Sequence, residues 1–393
     1  MRQDKITVEE LEEILTQQLE DQQVKDRILA EFFELVQITC NSRQEREIGD
    51  LMKKRLQDLG GEVIEDGAGA IIGGNCGNII ANFQGTLSDK PTIMLAAHLD
   101  CVVPCVGVKP ILKDGVITSD GTTILGSDDK AGVVPILEAL RVLKENNIPH
   151  GDLQIVFSVC EEGGLNGSKN IDSSLLKADF GYELDSSGRP GKIIVTAPGQ
   201  NKINVKVHGK TAHAGLEPEK GINAIKAAGK ILANVPQGRI DEETTCNIGI
   251  ISGGLATNIV PDLVEIKCEA RSRNQDKLDK LTNEMRQAFE QGAKENDVRV
   301  DVEISKAYNS YVIDAQSKVV VVAKEAAERV GLEVDIAGTG GGSDANHYNN
   351  YGIVCSALGV GMQNVHTCEE FIYEEDLYKT SEWVLEIIKG VSR

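Results

Sequence analysis

No apolar run in this chain approaches the roughly 20 residues that a membrane span requires. The stretch Met1–Glu10 is charged from its start and holds no secretory h-region. Both absences point to a cytoplasmic protein with no membrane partner. Basic residues are in deficit: 41 lysines and arginines against 61 acids leave a net charge of −20. Such a surface repels phosphate backbones and anionic lipid, which argues against a nucleic-acid partner. The nine cysteines include no Cys-x-x-Cys pair. Neither a disulfide framework nor a thiolate zinc site is therefore indicated. Cys160, Cys268 and Cys355 lie in apolar runs, as reduced, buried thiols do. Internal repeats and low-complexity tracts are also lacking.

What is present is an ordinary globular composition, 41% hydrophobic and 26% charged over 393 residues, long enough for two or three domains. Leu11, Ile14 and Leu15, then Ile28, Phe32, Leu35 and Val36, recur at helical spacing and predict helix over the first sixty residues. Glycine is dense from Ala68 to Gly85, which predicts turns and short strands. The apolar runs Thr92–Ala97, Leu153–Val159 and Phe180–Leu184 read as strands, with a helix at Ala131–Leu143 between the first two. Alternation of this kind predicts an α/β fold with a mixed, largely parallel sheet covered by helices.

The pattern changes in the middle of the chain. "KINVKV", a helix carrying Ile222, Ile225, Ile231 and Leu232 on one face, "CNIGII", "LVEIKCEA", a helix with Leu278, Leu281, Met285 and Phe289, and "VRVDVEI" follow in order. This is β-α-β-β-α-β, the ferredoxin-like α+β arrangement. The expected organisation is a catalytic domain in two segments, 1–201 and 307–393, with a small domain inserted at 202–306. The α/β pattern returns with a helix at Lys318–Arg329 and a run at Ile353–Leu358.

Ligands of open α/β sheets bind beyond the carboxyl ends of the strands. His98 and Asp100 follow "TIMLAA", Glu161 and Glu162 follow "IVFSVC", and Asp185 follows "FGYEL". The loop "LGSDDKAG" opens a helix and supplies Asp128 and Asp129; His366 comes late, in "GMQNVHTCEE". Clustered carboxylates repel one another unless cations neutralise them. Two histidines with three or four carboxylates suit two divalent ions, zinc first, with cobalt or manganese also fitting. Successive residues at a strand end point in opposite directions. One of the paired glutamates can thus bind metal while the other takes a proton from attacking water.

"HLD", "GTTILGSDDKAG", "CEEGG", "ELD", "HGKTAHAG", "NIVPD" and "VHTCEEF", in this order, resemble the M20 metallopeptidases, and among them the peptidase T-like branch. The resemblance spans nearly the whole chain past the N-terminal helix. It implies Asp128 as the ligand shared by two metals, His98 and Asp185 on one, and Glu162 and His366 on the other. Glu161 resembles the family's general base, Asp100 would orient His98 through a hydrogen bond, and the Asp128–Asp129 peptide would be cis. His213 would stabilise the oxyanion, often across a dimer formed through the inserted lid domain. Asn258 and Arg271 match substrate-contacting positions, although Arg271 could equally pair with an acid. The glycine-rich loop Gly338–Asn346, with Gly341 and Gly342 at its centre, lacks the Lys-Ser/Thr ending of a P-loop and by resemblance lines a peptide cleft. His208, His150 and His347 have no such match. One departure stands beside His98, where relatives carry Thr and this chain has Cys101.

The function expected is a two-metal hydrolase that removes the N-terminal residue from short peptides such as tripeptides. An N-acyl amino acid deacylase or a carboxypeptidase would share its metal residues. A non-catalytic metal- or peptide-binding protein is the alternative of another class, and a nucleotide-binding protein is what the glycine loops alone would suggest.

Overall fold

The computed structural model describes residues 22–393. The expected helical positions Leu11, Ile14 and Leu15 lie outside them. Two compact units divide the chain. Unit 1 comprises the described residues up to Val195 together with Ile313–Ala337 and Ser343–Arg393; unit 2 is Thr196–Val312 with Gly338–Gly342.

Unit 1 opens with α1 (Gln22–Val36) and α2 (Arg46–Leu59), then β1 (Glu62–Glu65), the short α3 (Ala68–Ile72), β2 (Ile79–Phe83) and β3 (Ile93–His98). The hairpin β4 (Ile111–Lys113) and β5 (Val116–Thr118) leads to α4 (Ser127–Glu145), β6 (Leu153–Ser158), α5 (Asn166–Lys169), β7 (Phe180–Ser186) and β8 (Lys192–Ala197). Unit 2 then runs β9 (Gly199–His208), α6 (Ala224–Leu232), β10 (Gly238–Asp241), β11 (Thr244–Gly253), β12 (Leu263–Ser272), α7 (Gln275–Glu295), β13 (Arg299–Tyr308) and β14 (Tyr311–Val312). The chain ends with α8 (Lys318–Arg329), β15 (Asp335–Gly338), α9 (Ala345–Asn350), β16 (Val354–Gly359), β17 (Phe371–Tyr373) and α10 (Glu374–Ser392).

The large sheet has the order β1-β2-β6-β3-β7-β16-β8. Its centre is parallel (β6 with β3, β3 with β7, β7 with β16) and its flanks are antiparallel. Every residue of β3 and β6 is buried, because helices cover both faces of a parallel sheet and leave no polar side. α1 presents Ile28, Phe32, Leu35 and Val36 to the interior. Trp383 of α10 is fully buried, and its indole N–H donates to the Ala323 carbonyl of α8 at 2.8 Å. Gly132 on α4 brings that helix against β7: a Cβ there would lie 2.2 Å from the Leu184 oxygen. Glycine in "DDKAG" therefore sets how closely the Asp128 end of α4 approaches Asp185.

In unit 2 the antiparallel sheet has the order β10-β11-β12-β9-β13, the ferredoxin-like arrangement with β10 added at one edge. Ile203, Val205 and Val207 of β9 and Val264, Ile266 and Cys268 of β12 pack with Leu278, Leu281, Met285 and Phe289 of α7. Two sequence expectations differ from the structure. Ile222 and Ile225 do not form the buried face of α6. Asn223 caps that helix by accepting from the Lys226 N–H, so Ile222 precedes it, and the buried face is Ala224, Ala227, Ala228 and Ile231. The glycine-dense stretch 68–85 contains a short helix as well as a strand, because Asp66 accepts from the Ala68 and Asn78 N–H groups and closes the turn around it.

Candidate active site

The parallel strands of unit 1 bring their carboxyl ends to one edge of the sheet. β3 ends at His98, β6 is followed by Glu161 and Glu162, β7 carries Asp185, and the segment after β16 carries His366. Asp128 and Asp129 sit at the entry of α4 with non-helical backbone angles, and the peptide between them is cis, as the family resemblance implies.

The Asp128 carboxylate faces both histidines. Oδ1 lies 2.9 Å from His98 Nε2, and Oδ2 lies 3.2 Å from His366 Nε2. Asp185 Oδ1 stands 3.9 Å from His98 Nε2, and Glu162 Oε1 2.9 Å from His366 Nε2. Ligand atoms of His98, Asp128 and Glu162 all fall within 4.8 Å of one another, as do those of His98, Asp129 and Asp185. The five residues expected to hold metal thus converge. Asp129 stands beside them, with one oxygen accepting from the His98 N–H at 3.1 Å.

Asp100 organises this edge. The His98 Nδ1 lies 3.1 Å from the Asp100 carbonyl and 3.5 Å from its carboxylate. That carboxylate also accepts from the Glu161 N–H at 2.9 Å, the Glu162 N–H at 3.2 Å and the Ser42 hydroxyl at 2.5 Å. One buried acid therefore fixes the ring of His98 and the backbone of the glutamate pair. Burial opposes its ionisation, yet these donors keep its pKa below the ordinary value.

The electrostatics fit cations. Burial, and then the charges of Asp185, Asp344 and Glu162, push Glu161 well above the carboxylate range; burial and Asp128 do the same to Asp185. Asp128 is held low, because hydrogen bonds from His366 and His98 outweigh its burial. Asp128 and Glu162 push His366 up to about 10. With Nδ1–H of His98 directed at Asp100, its Nε2 is the lone-pair nitrogen, and it points at the lone pairs of Asp128. Acceptor against acceptor at 2.9 Å calls for either a proton or a cation between them. Two imidazoles and three carboxylates that repel one another are the donor set of borderline divalent ions.

Three further residues support the site and carried no periodicity by which the sequence could single them out. Glu370 is buried and accepts from the Leu125 and Gly126 N–H groups at 2.9 Å, the Ser127 hydroxyl at 2.6 Å and the Asp128 N–H at 3.1 Å. It ties the segment bearing His366 to the loop that presents Asp128; its one signal was its place four residues after His366. Asp344 accepts from the Ser158 and Ser168 hydroxyls. Glu45 accepts from the Cys160 N–H at 3.0 Å, immediately before the glutamate pair.

The other expected residues belong to unit 2. His213 is exposed and pairs across an isolated bridge with Ile259. Its Nδ1 accepts from the Gly215 and Leu216 N–H groups, both at 3.1 Å, which leaves the proton on Nε2 as a free donor. Asn258 is adjacent, its carbonyl accepting from the Ala214 N–H at 3.0 Å. Arg271 donates through Nε and Nη2 to Glu269 at 2.9 and 3.1 Å, so its fork is held by an acid. Gly342 packs where a Cβ would meet the Tyr308 ring at 2.5 Å, and the Gly341 N–H donates to the Thr339 hydroxyl at 3.2 Å. Eight of the nine cysteines are buried and Cys368 is exposed. No helix among the described residues is long and apolar enough to cross a membrane.

Residues 195–297 match the M20 peptidase dimerisation domain, and residues 78–235 match peptidase family M28. An aminopeptidase PepT from Bacillus cereus shares 47% identity and a TM-score of 0.86, covering 94% of this chain and 99% of its own. A tripeptidase from Staphylococcus aureus shares 42% identity and a TM-score of 0.89 over the same proportions. The uncharacterised protein YqjE of Bacillus subtilis is 46% identical over 367 residues, 93% of this chain and 99% of its own.

The hydrogen bonds at Asp100 predict that Asp100→Ala weakens metal affinity by about 10- to 100-fold, the usual loss when a partner of a metal-binding histidine is removed. Competition against a chromogenic chelator measures this, and unchanged affinity would refute the orienting role.

Proposed function

The chain belongs to the M20 metallopeptidases, in the peptidase T-like branch, and on that premise we propose that it removes the N-terminal residue of short peptides such as tripeptides with two zinc-type ions. Hydrolysis of short peptides follows from the family. Cleavage at the amino end is suggested by the likeness to the Bacillus aminopeptidase and the Staphylococcus tripeptidase. The observation that carries the reading is the Asp128 carboxylate, one oxygen toward each imidazole.

In this proposal His98 and Asp185 would hold one ion and Glu162 and His366 the other, with Asp128 available to both. Divalent ions, when bound there, would supply polarisation of the scissile carbonyl and acidification of water near neutral pH. Glu161 takes the proton from the attacking water and returns it to the leaving amine. Its side chain is buried and its backbone is pinned by Asp100, so the carboxylate is held in place while its neighbour Glu162 binds metal. His213, with Nε2–H outward, donates to the developing oxyanion, and Asn258 and the Gly341–Gly342 backbone meet the peptide.

The same reading makes the protein a homodimer through unit 2, supported by the match to the dimerisation domain. β10 pairs with β11 only as far as Cys246. Beyond it β11 has no second strand neighbour among the described residues, and Ile250, Ile251 and Leu255 are exposed. An apolar unpaired edge of this kind invites another strand.

Zinc-loaded protein is to be offered a free tripeptide, the same tripeptide N-acetylated, and an N-acyl amino acid, with products identified by mass. Loss of the first residue from the free tripeptide alone is expected. Glu161→Gln should lower its rate by about 10²- to 10⁴-fold with metal content intact. Turnover of the acylated compounds would instead move the function to a deacylase or carboxypeptidase. Sedimentation of the wild type should give a dimer and Ile251→Lys a monomer; a monomeric wild type would refute the dimer.

A further inference from the structure

The sheet of unit 2 is covered on one face by α6 and α7. On its other face Arg239 of β10, Thr245 of β11 and Arg271 of β12 stand opposite one another in register. Directly paired residues on adjacent strands share a face, and Arg273 follows just past the end of β12. These residues line a cavity of about 440 Å³, together with Glu242 and Thr339.

The arginines are not equivalent. Arg271 is held by Glu269. Glu243, also on the cavity wall, meets Lys277 at 2.6 Å. Arg239 and Arg273 donate only to the Glu242 carbonyl, at 3.5 and 3.3 Å, long distances for such bonds. Among the described residues neither meets a carboxylate, in a chain with 61 acids to offer. The cavity wall holds three arginines and three glutamates, yet of the arginines only Arg271 is engaged by one of those acids. Gly338 makes room for one of them: a Cβ at 338 would lie 2.6 Å from Arg273 Nη1. A guanidinium without an acid partner keeps a planar fork of donors, matched in geometry to a carboxylate or another oxyanion.

We propose that Arg239 and Arg273 form an oxyanion subsite in unit 2, distinct from the Arg271–Glu269 pair, which binds a carboxylate through their unpaired forks. Such a group can come from the carboxyl terminus of a peptide or from a small free anion. The first source rests on the peptide-hydrolase reading above; anion binding itself does not.

Full-length zinc-loaded protein, as wild type, as Arg239→Gln/Arg273→Gln and as Arg239→Gln alone, is titrated calorimetrically with inorganic sulfate. Circular dichroism checks that each variant is folded. In parallel, KM is measured for a tripeptide and for its C-terminal amide. Sulfate binding in the wild type and its loss in the double variant are expected, with a smaller loss in the single variant. If the ligand is the peptide's own terminus, the double variant raises KM for the free acid by about tenfold or more while KM for the amide changes less than twofold. If it is a free anion, sulfate binding is lost and both KM values hold. Sulfate binding that is absent in the wild type, or unchanged in the double variant, overturns the proposal. Lack of turnover on any peptide would undo the hydrolase reading and leave the sulfate result standing.

Discussion

The mutual repulsion of carboxylates gathered at one sheet edge is the constraint on which the rest of unit 1 depends. Burial and the neighbouring carboxylates push Glu161 and Asp185 well above the carboxylate range, and two imidazoles point their Nε2 atoms into the same space. Such a set cannot be ionised together at low cost without compensating positive charge. Divalent cations would supply it. The position of Asp128, with an oxygen toward each histidine, makes one carboxylate common to both halves of the site.

The hydrogen bonds around the edge serve that arrangement. Asp100 gathers the His98 ring, the Glu161 and Glu162 amides and Ser42 around one buried carboxylate. Glu370 does the same for the loop that delivers Asp128. Gly132 removes the side chain that would hold α4 off β7. The side chains gathered at this edge are thus set by neighbours whose own donors and acceptors are satisfied, the condition for holding a site to within a fraction of an ångström.

Much of this was legible in the sequence, for a physical reason. Strand-end acids interrupt apolar runs whose β-period is plain, so His98, Glu161, Glu162 and Asp185 could be assigned to one sheet edge, and the order of elements implied the ferredoxin-like unit. Glu370 could not be read that way. Its partners, Leu125 to Asp128, lie more than 240 residues away in sequence, and a contact of that range leaves no local pattern. Ile222 and Ile225 fit helical spacing, but the cap at Asn223 leaves Ile222 outside α6, and the face that packs is Ala224, Ala227, Ala228 and Ile231, with Ile225 exposed. Arg239 and Arg273 gave no signal, since a lone arginine near a turn looks like any solvated charge. Only the folded unit brings both to the wall of one cavity.

Sharing of Asp128 is the central claim, and metal stoichiometry tests it most directly. Zinc is titrated calorimetrically into metal-free wild type and Asp128→Asn, with bound metal counted by mass spectrometry under native conditions. The wild type should bind two ions per chain, and the variant should bind both more weakly, because a single carboxylate serves the two positions. A variant that loses one ion and holds the other with wild-type affinity would contradict the shared ligand and leave Asp128 belonging to one metal alone.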